Sequence, residues 1–273
     1  MPVKKVAKKI DSNKPPVAFT PVEHLPEVLA VLGWGRSGTG KTTFASSFPK
    51  PMLLLDIREK GTDSISNVAG VKVARIEEWP EFEAVYWYLK KNPGMFKTVV
   101  IDQITTLQDL AMLQARKNLG KDEDSLATKQ IFGETGGLMK TWLLNYRDLI
   151  DDETHIVFLA HDRKTGGGDE GGDDQIEPEV GPRLMPSVAS FVNGMVKIIG
   201  NTYIREGYNI ENKRKVRFVE YGMRVGPHAY YTTKVRSPVG IASPDSIVDP
   251  SFEKLIAIMR GDYSKTAIKK KAR

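Results

Sequence analysis

Eight consecutive residues, Gly35-Arg36-Ser37-Gly38-Thr39-Gly40-Lys41-Thr42, carry the pattern G-x-x-x-x-G-K-[ST]. The spacing has a chemical reason. Glycines let successive backbone N–H groups turn inward and form a concave anion nest. A helix starting at the lysine adds the positive end of its dipole. Lys41 then reaches the β- and γ-phosphates of a nucleoside triphosphate, and the Thr42 hydroxyl ligates Mg²⁺. The nucleotide-binding set is therefore Gly35 to Thr42 with Thr43 beside it, and ATP with Mg²⁺ is the expected pair of ligands.

A second metal-side carboxylate should end a neighbouring apolar strand. Thr98-Val99-Val100-Ile101-Asp102 fits, about 60 residues downstream, with Asp102 serving Mg²⁺ as an oxygen ligand. Hydrolysis also needs a group that orients or activates the attacking water. The run Met52–Asp56 is followed by Ile57-Arg58-Glu59-Lys60-Gly61. Glu59 is the candidate there, with Asp56 its competitor and a solvated loop charge the plain alternative. His161 ends another apolar run, HIVFLAH, at the strand edge where ligands bind in open α/β sheets. A polar residue so placed can sense the γ-phosphate; otherwise it is an exposed histidine at a strand end.

These residues need a scaffold of alternating strands and helices. Apolar runs at 25–33, 52–56, 97–102 and 155–161 read as buried strands. Segments 81–91, 107–119 and 137–150 have helical spacing, and 120–130 is polar and reads as a loop. After the fourth strand the chain is glycine-rich and acidic over 165–179. A helix and a strand are expected from MPSVASFVNGMVKIIGNTYIRE, β segments from KVRFVEYGMRV and YYTTKVRS, and a last helix from SFEKLIAIMRG. The expectation is an α/β fold with a mostly parallel central sheet flanked by helices. Tyr230 and Tyr231 fit strand packing better than base stacking, and Trp87 and Trp142 sit at helical spacing. Trp34, just before the glycine-rich motif, could pack beneath it.

Charge and composition narrow the class. Hydrophobic residues make up 40% and charged residues 27%, a globular balance. There is no cysteine, which excludes disulfides and thiolate metal sites, and the four histidines show no zinc spacing. No run of 18 apolar residues occurs, and the basic start has no apolar region behind it, so a soluble, cytoplasmic protein without membrane partners is expected. Residues 1–15 and 262–273 each carry +4 of the total +6, leaving the body at −2. Basic ends can track nucleic-acid phosphates, or simply stay solvated.

The joint order of these motifs resembles the RecA-like core. More closely, the chain is similar to phage P-loop proteins that act as RecA-core single-strand annealing proteins or recombinases. The carrying segments are PKPMLLLD with EKGT, TVVIDQITTLQDLA, QIFGETGGLMKTWLLNYRDL, HIVFLAHD, TTKVRSP and FEKLIAIMRGDY, spread over residues 28–262. The resemblance implies a RecA-like ATPase domain at 21–262, between a flexible basic arm (1–20) and a basic tail (263–273). It implies a DNA-dependent ATPase that binds single-stranded DNA as a homo-oligomer, ring or filament, with ATP at the subunit interface. A single-strand binding protein is a further implied partner, and host cytoplasm the implied location. The family's catalytic carboxylate falls on Glu59, although Asp56-Ile57-Arg58-Glu59 has one residue more than the family's aspartate–x–glutamate. His161 would couple nucleotide state to a mobile DNA-binding loop at 162–185. Lys234 and Arg236 would be the paired cations inserted into a neighbour's ATP site; their plain reading is a basic strand end. Six acids, Asp169, Glu170, Asp173, Asp174, Glu177 and Glu179, depart from the pattern because they repel phosphate, and only Arg163, Lys164 and Arg183 flank them. The alternative is a P-loop ATPase of another class, such as a helicase loader or a packaging-associated motor. Glycine and acids stand where a small-molecule kinase would carry an arginine-rich lid.

Overall fold

The computed structural model describes residues 27–165, 179–211 and 214–263. The expected basic arm, the centre of the acidic stretch and nearly all of the basic tail lie outside the described residues. The run before the glycine-rich motif forms β1 (Ala30–Trp34), every residue buried. Its side chains divide by parity. Ala30, Leu32 and Trp34 belong to one core, Leu29 and Val31 to the other. A strand apolar on both sides needs a layer on each face, which is the signature of a parallel sheet between helices.

The other parallel strands are β2 (Met52–Ile57), β3 (Val71–Ile76), β4 (Thr98–Asp102) and β5 (His155–Ala160). After β5 come β6 (Asp162–Thr165), β7 (Glu179–Pro182), the long β8 (Ile198–Glu211) and β9 (Arg214–Arg224), and the short β10 (Lys234–Val235) and β11 (Ser246–Val248). The main sheet runs β11-β9-β8-β1-β5-β4-β2-β3, with β10 also on β8. Pairings from β8 through β1 to β3 are parallel, and those made by β9, β10 and β11 are antiparallel. The α/β fold with a mainly parallel central sheet is as expected.

One face is covered by α2 (Trp79–Lys91), α3 (Ile104–Asn118), α4 (Lys129–Arg147) and α5 (Pro186–Met195), through side chains such as Phe82, Leu107, Leu143 and Val192. The opposite face is covered by α1 (Lys41–Ala45) and α6 (Phe252–Arg260), through Phe44, Leu255 and Ile258.

Three elements differ from the sequence expectation. β3 is an additional strand; its outer position leaves Lys72 and Arg75 exposed, so its pattern is not that of a buried run. α4 begins at Lys129, not near 137, because Thr128 caps it by accepting from Ile131 N. Its glycines weaken helix propensity, but Gly136 is buried against α5, with a Cβ there lying 3.7 Å from Met185 and Ser187. Finally, the segment expected to be irregular at 162–185 has a paired base. β6 and β7 form an antiparallel ribbon from Asp162↔Pro182 to Thr165↔Glu179.

The ribbon is fastened to the next turn of chain. Val180 N donates to Tyr230 O (2.7 Å) and Thr232 N to Val180 O (3.0 Å). Thr232 O in turn accepts from the Trp34 indole N–H at 2.9 Å. Trp34 is fully buried and stacks on Tyr231 at 6.4 Å. Arg224 lies over both Tyr203 and Tyr231, at 4.2 and 4.3 Å from the ring centroids.

Candidate active site

β1, β2, β4 and β5 all end at one edge of the sheet, and the segments that follow them converge on one cleft of about 590 Å³. Among its lining residues are Lys41, Thr42, Thr43, Glu59, Asp102 and His161. Four separate stretches of sequence thus meet in one cleft.

The glycine-rich turn is built as an anion cradle. Gly35 has φ +157°, and a Cβ there would lie 2.5 Å from Thr202 Oγ1 and 2.6 Å from Thr202 O, so no side chain fits. Gly40 is the left-handed residue (φ 80°) from which α1 starts, and no side chain caps that start. First-turn N–H groups are therefore left for a ligand. Thr39 Oγ1 donates to Arg36 O (2.8 Å) and lies 2.6 Å from Thr202 Oγ1, which pins the loop to β8. Lys41, only 8% exposed, places Nζ 2.9 Å from Gly35 O and 3.0 Å from Arg36 O. Burial lowers its pKa, while Asp102, Asp162 and Glu59 pull it back up. α1 ends at Ala45, where the Ser46 and Ser47 hydroxyls donate to the carbonyls of Thr43 and Phe44 at 2.8 and 2.7 Å.

Thr42 Oγ1 donates to Asp102 Oδ2 at 2.8 Å. Burial pushes the Asp102 carboxyl up to about 6; the Thr42 hydrogen bond and Lys41 lower it, and Glu59 and Asp56 raise it. A cation beside this carboxylate would offset that desolvation. Among the described residues no group of three or more His, Cys, Asp or Glu could hold a metal alone. A hydroxyl plus one carboxylate instead suits Mg²⁺, which keeps several waters and takes further oxygens from phosphates. The residues present therefore fit a Mg²⁺–triphosphate pair, with Thr42 and Asp102 on the metal side.

Glu59 and Asp56 separate into different roles. Glu59 lines the cleft and accepts from Thr106 Oγ1 at 2.5 Å. Asp56 is 2% exposed and lies beneath the turn, where Oδ1 accepts from Glu59 N (3.0 Å) and Lys60 N (2.9 Å). Those bonds hold a backbone in which Arg58 and Lys60 are left-handed, at φ 59° and 52°. Asp56 thus fixes the turn that presents Glu59.

His161 lines the cleft next to the ribbon. Its N–H donates to Thr105 Oγ1 (3.0 Å), and its carbonyl accepts from Arg183 N (2.7 Å). Burial lowers the imidazole pKa, followed by Lys41, which favours the neutral ring. Lys234 and Arg236 are not in this cleft. Lys234 Nζ bonds Asn193 O, and an Arg236 guanidinium nitrogen donates to Gly194 O at 2.7 Å. Within one chain they cap the carbonyl end of α5.

Some cleft residues carried no sequence signal. Gln103 is 2% exposed, lines the cleft and leaves its Oε1 without a partner. Tyr221, Asp249 and Pro250 arrive from the far end of the chain, and no motif spacing connects them to the phosphate loop.

A phosphate cradle with its lysine, a Thr–Asp pair for a hard cation and a second carboxylate at the sheet edge define a P-loop NTPase domain. Residues 28–237 match the family model described as an AAA domain, and the chain belongs to that family. Among solved structures it is similar to a KaiC-like protein of Pyrococcus horikoshii OT3, with 13% identity over 83% of this chain and 91% of that one, TM-score 0.39. It is also similar to the flagellar accessory protein FlaH of Methanocaldococcus jannaschii, with 7% identity over 81% and 84%, TM-score 0.36. No curated protein matches the chain. Among the described residues no helix is long and apolar enough to cross a membrane.

Proposed function

We propose that the chain is an ATP hydrolase that binds single-stranded DNA as a homo-oligomer and promotes strand annealing or homologous recombination in a phage. The observation that carries the catalytic part is the convergence of Lys41, Thr42, Asp102 and Glu59 on one cleft. Lys41 exchanges its two carbonyl partners for phosphate oxygens. Glu59, held by Thr106 and by the turn on Asp56, accepts a proton from the attacking water. Thr42 and Asp102 would hold Mg²⁺, which would supply positive charge beside the phosphates. His161, neutral and linked through its carbonyl to Arg183, reports the occupancy of the cleft to the ribbon that follows it.

The DNA part rests on the motif order shared with RecA-core annealing proteins and on the two basic ends of the sequence. A neighbouring copy would supply Lys234 and Arg236 to this cleft. The acids at 169–179 favour a second reading, a P-loop ATPase of another class such as a helicase loader or packaging-associated motor. ATP turnover with and without single-stranded DNA, combined with particle imaging, separates the two. DNA stimulation with rings or filaments is expected. Turnover that ignores DNA and rises only with a protein partner overturns the recombinase reading, and absence of turnover overturns both.

A further inference from the structure

The cleft has two ends, and the order of strands separates them. Asp102 ends β4 and Glu59 follows β2, both on one side of β1. Tyr221 lies in β9 and Asp249-Pro250 follow β11, on the other side of β1. The γ end of a triphosphate belongs with Lys41, Asp102 and Glu59. The nucleoside end must then leave the cradle past Gly40 and Thr43, toward the wall made by Tyr221, Asp249 and Pro250.

That wall is fixed in place. A Cβ at Gly40 would lie 3.3 Å from Tyr221 Cδ1, so the tyrosine ring stands directly against the last glycine of the cradle. The ring is nevertheless accessible, with Tyr221 43% exposed. Asp249 N donates to Tyr221 O at 2.8 Å, and Lys254 Nζ bonds Asp249 O at 2.8 Å. Asp249 adopts a left-handed φ of 45° between β11 and Pro250. Asp249 and Pro250 line the cleft beside that ring. An aromatic ring, a proline ring and an acceptor-only carboxylate therefore border the outer end of the cleft.

We propose that Tyr221, Pro250 and Asp249 form the nucleobase subsite, which takes a purine bearing an exocyclic amine. The inference rests on the nucleotide reading of the cleft and adds what selects the base. Tyr221 supplies a stacking face, Pro250 closes the other side, and Asp249 accepts from the amine. Stacking on an aromatic ring is sequence-tolerant by itself. Discrimination comes from the carboxylate, which has nothing to accept from a purine without the amine.

The test is calorimetric titration of the full chain with Mg²⁺ and three probes: ATP, purine riboside triphosphate and inorganic tripolyphosphate. Tyr221→Ala should weaken ATP about tenfold and leave tripolyphosphate unchanged, with Tyr221→Phe close to wild type. Wild type should prefer ATP over purine riboside triphosphate about tenfold, and Asp249→Ala should erase that preference. If Tyr221→Ala leaves ATP affinity intact, the base lies elsewhere and the subsite is wrong while the nucleotide reading stands. If the variant loses tripolyphosphate as well, Tyr221 only braces the loop, which also overturns the subsite. Failure of wild type to bind either ATP or tripolyphosphate overturns the nucleotide reading and the subsite with it.

Discussion

Thr42 Oγ1 lies 2.8 Å from Asp102 Oδ2, joining the start of α1 to the end of a strand that is not the neighbour of β1. β5 runs between them, and His161 emerges from it directly into the cleft. The hydroxyl–carboxylate pair therefore spans the place where a metal-bound phosphate belongs. Thr42→Ala and Lys41→Ala should each reduce ATP turnover at least about a hundredfold. Undiminished turnover in Lys41→Ala, followed by phosphate release, would remove the cradle from the mechanism.

Glu59 and Asp56 should respond differently to substitution. Glu59→Gln keeps the turn and its Thr106 contact, so ATP binding and melting temperature should hold while kcat falls about a hundredfold or more. Asp56→Ala frees the N–H groups of Glu59 and Lys60, and should lower both turnover and stability, the latter by about 1–3 kcal/mol. Kinetic loss from Asp56→Asn alone, with unchanged melting, would instead favour Asp56 as the catalytic carboxylate.

The Asp102 carboxyl gives a pH signature. Its pKa is raised from the ordinary 3.8 to about 6 in the fold, so the folded chain binds this proton more tightly than the unfolded one. Its contribution is fully present below the unfolded value and is lost as pH rises through about 6. Asp102→Asn should thus stabilise the nucleotide-free chain by about 1–2 kcal/mol above that pH and by little near about pH 4. Denaturant melts at both pH values check the difference. A gain that is the same at both would rule out the buried charge as its source.

Arg236 has a place in its own chain, capping α5 through Gly194 O. A role in a neighbour's cleft is separable from that. Arg236→Ala mixed with Lys41→Ala should recover part of the turnover that each lacks, because interfaces in which the Arg236→Ala copy supplies the cradle and the Lys41→Ala copy the cation have both groups intact. No recovery, with a melting loss of about 1 kcal/mol, would leave Arg236 as a helix cap alone.

The phosphate loop and Asp102 were legible because their chemistry sits in contiguous residues next to apolar runs. Glu59 was legible as a position, but the meaning of its offset from Asp56 was not. The extra residue matters only once Arg58 and Lys60 turn left-handed and bring two N–H groups back onto Asp56. β3 escaped notice because an outer strand can carry Lys72 and Arg75 among its valines. The first turns of α4 are hidden because Gly133, Gly136 and Gly137 argue against helix by propensity, and of the three Gly136 alone packs, against Met185 and Ser187 at the start of α5. Tyr221 and Asp249 reach the cleft only through strand order, which local spacing does not encode.

The fastening of the ribbon to Trp34 has a thermodynamic consequence. Val180 is bonded to Tyr230 and Thr232, and Thr232 to the indole immediately before Gly35. Ordering the ribbon and ordering the phosphate loop therefore draw on the same few contacts. A ligand that stiffens one reduces the entropy still to be lost by the other, and the benefit runs equally in both directions.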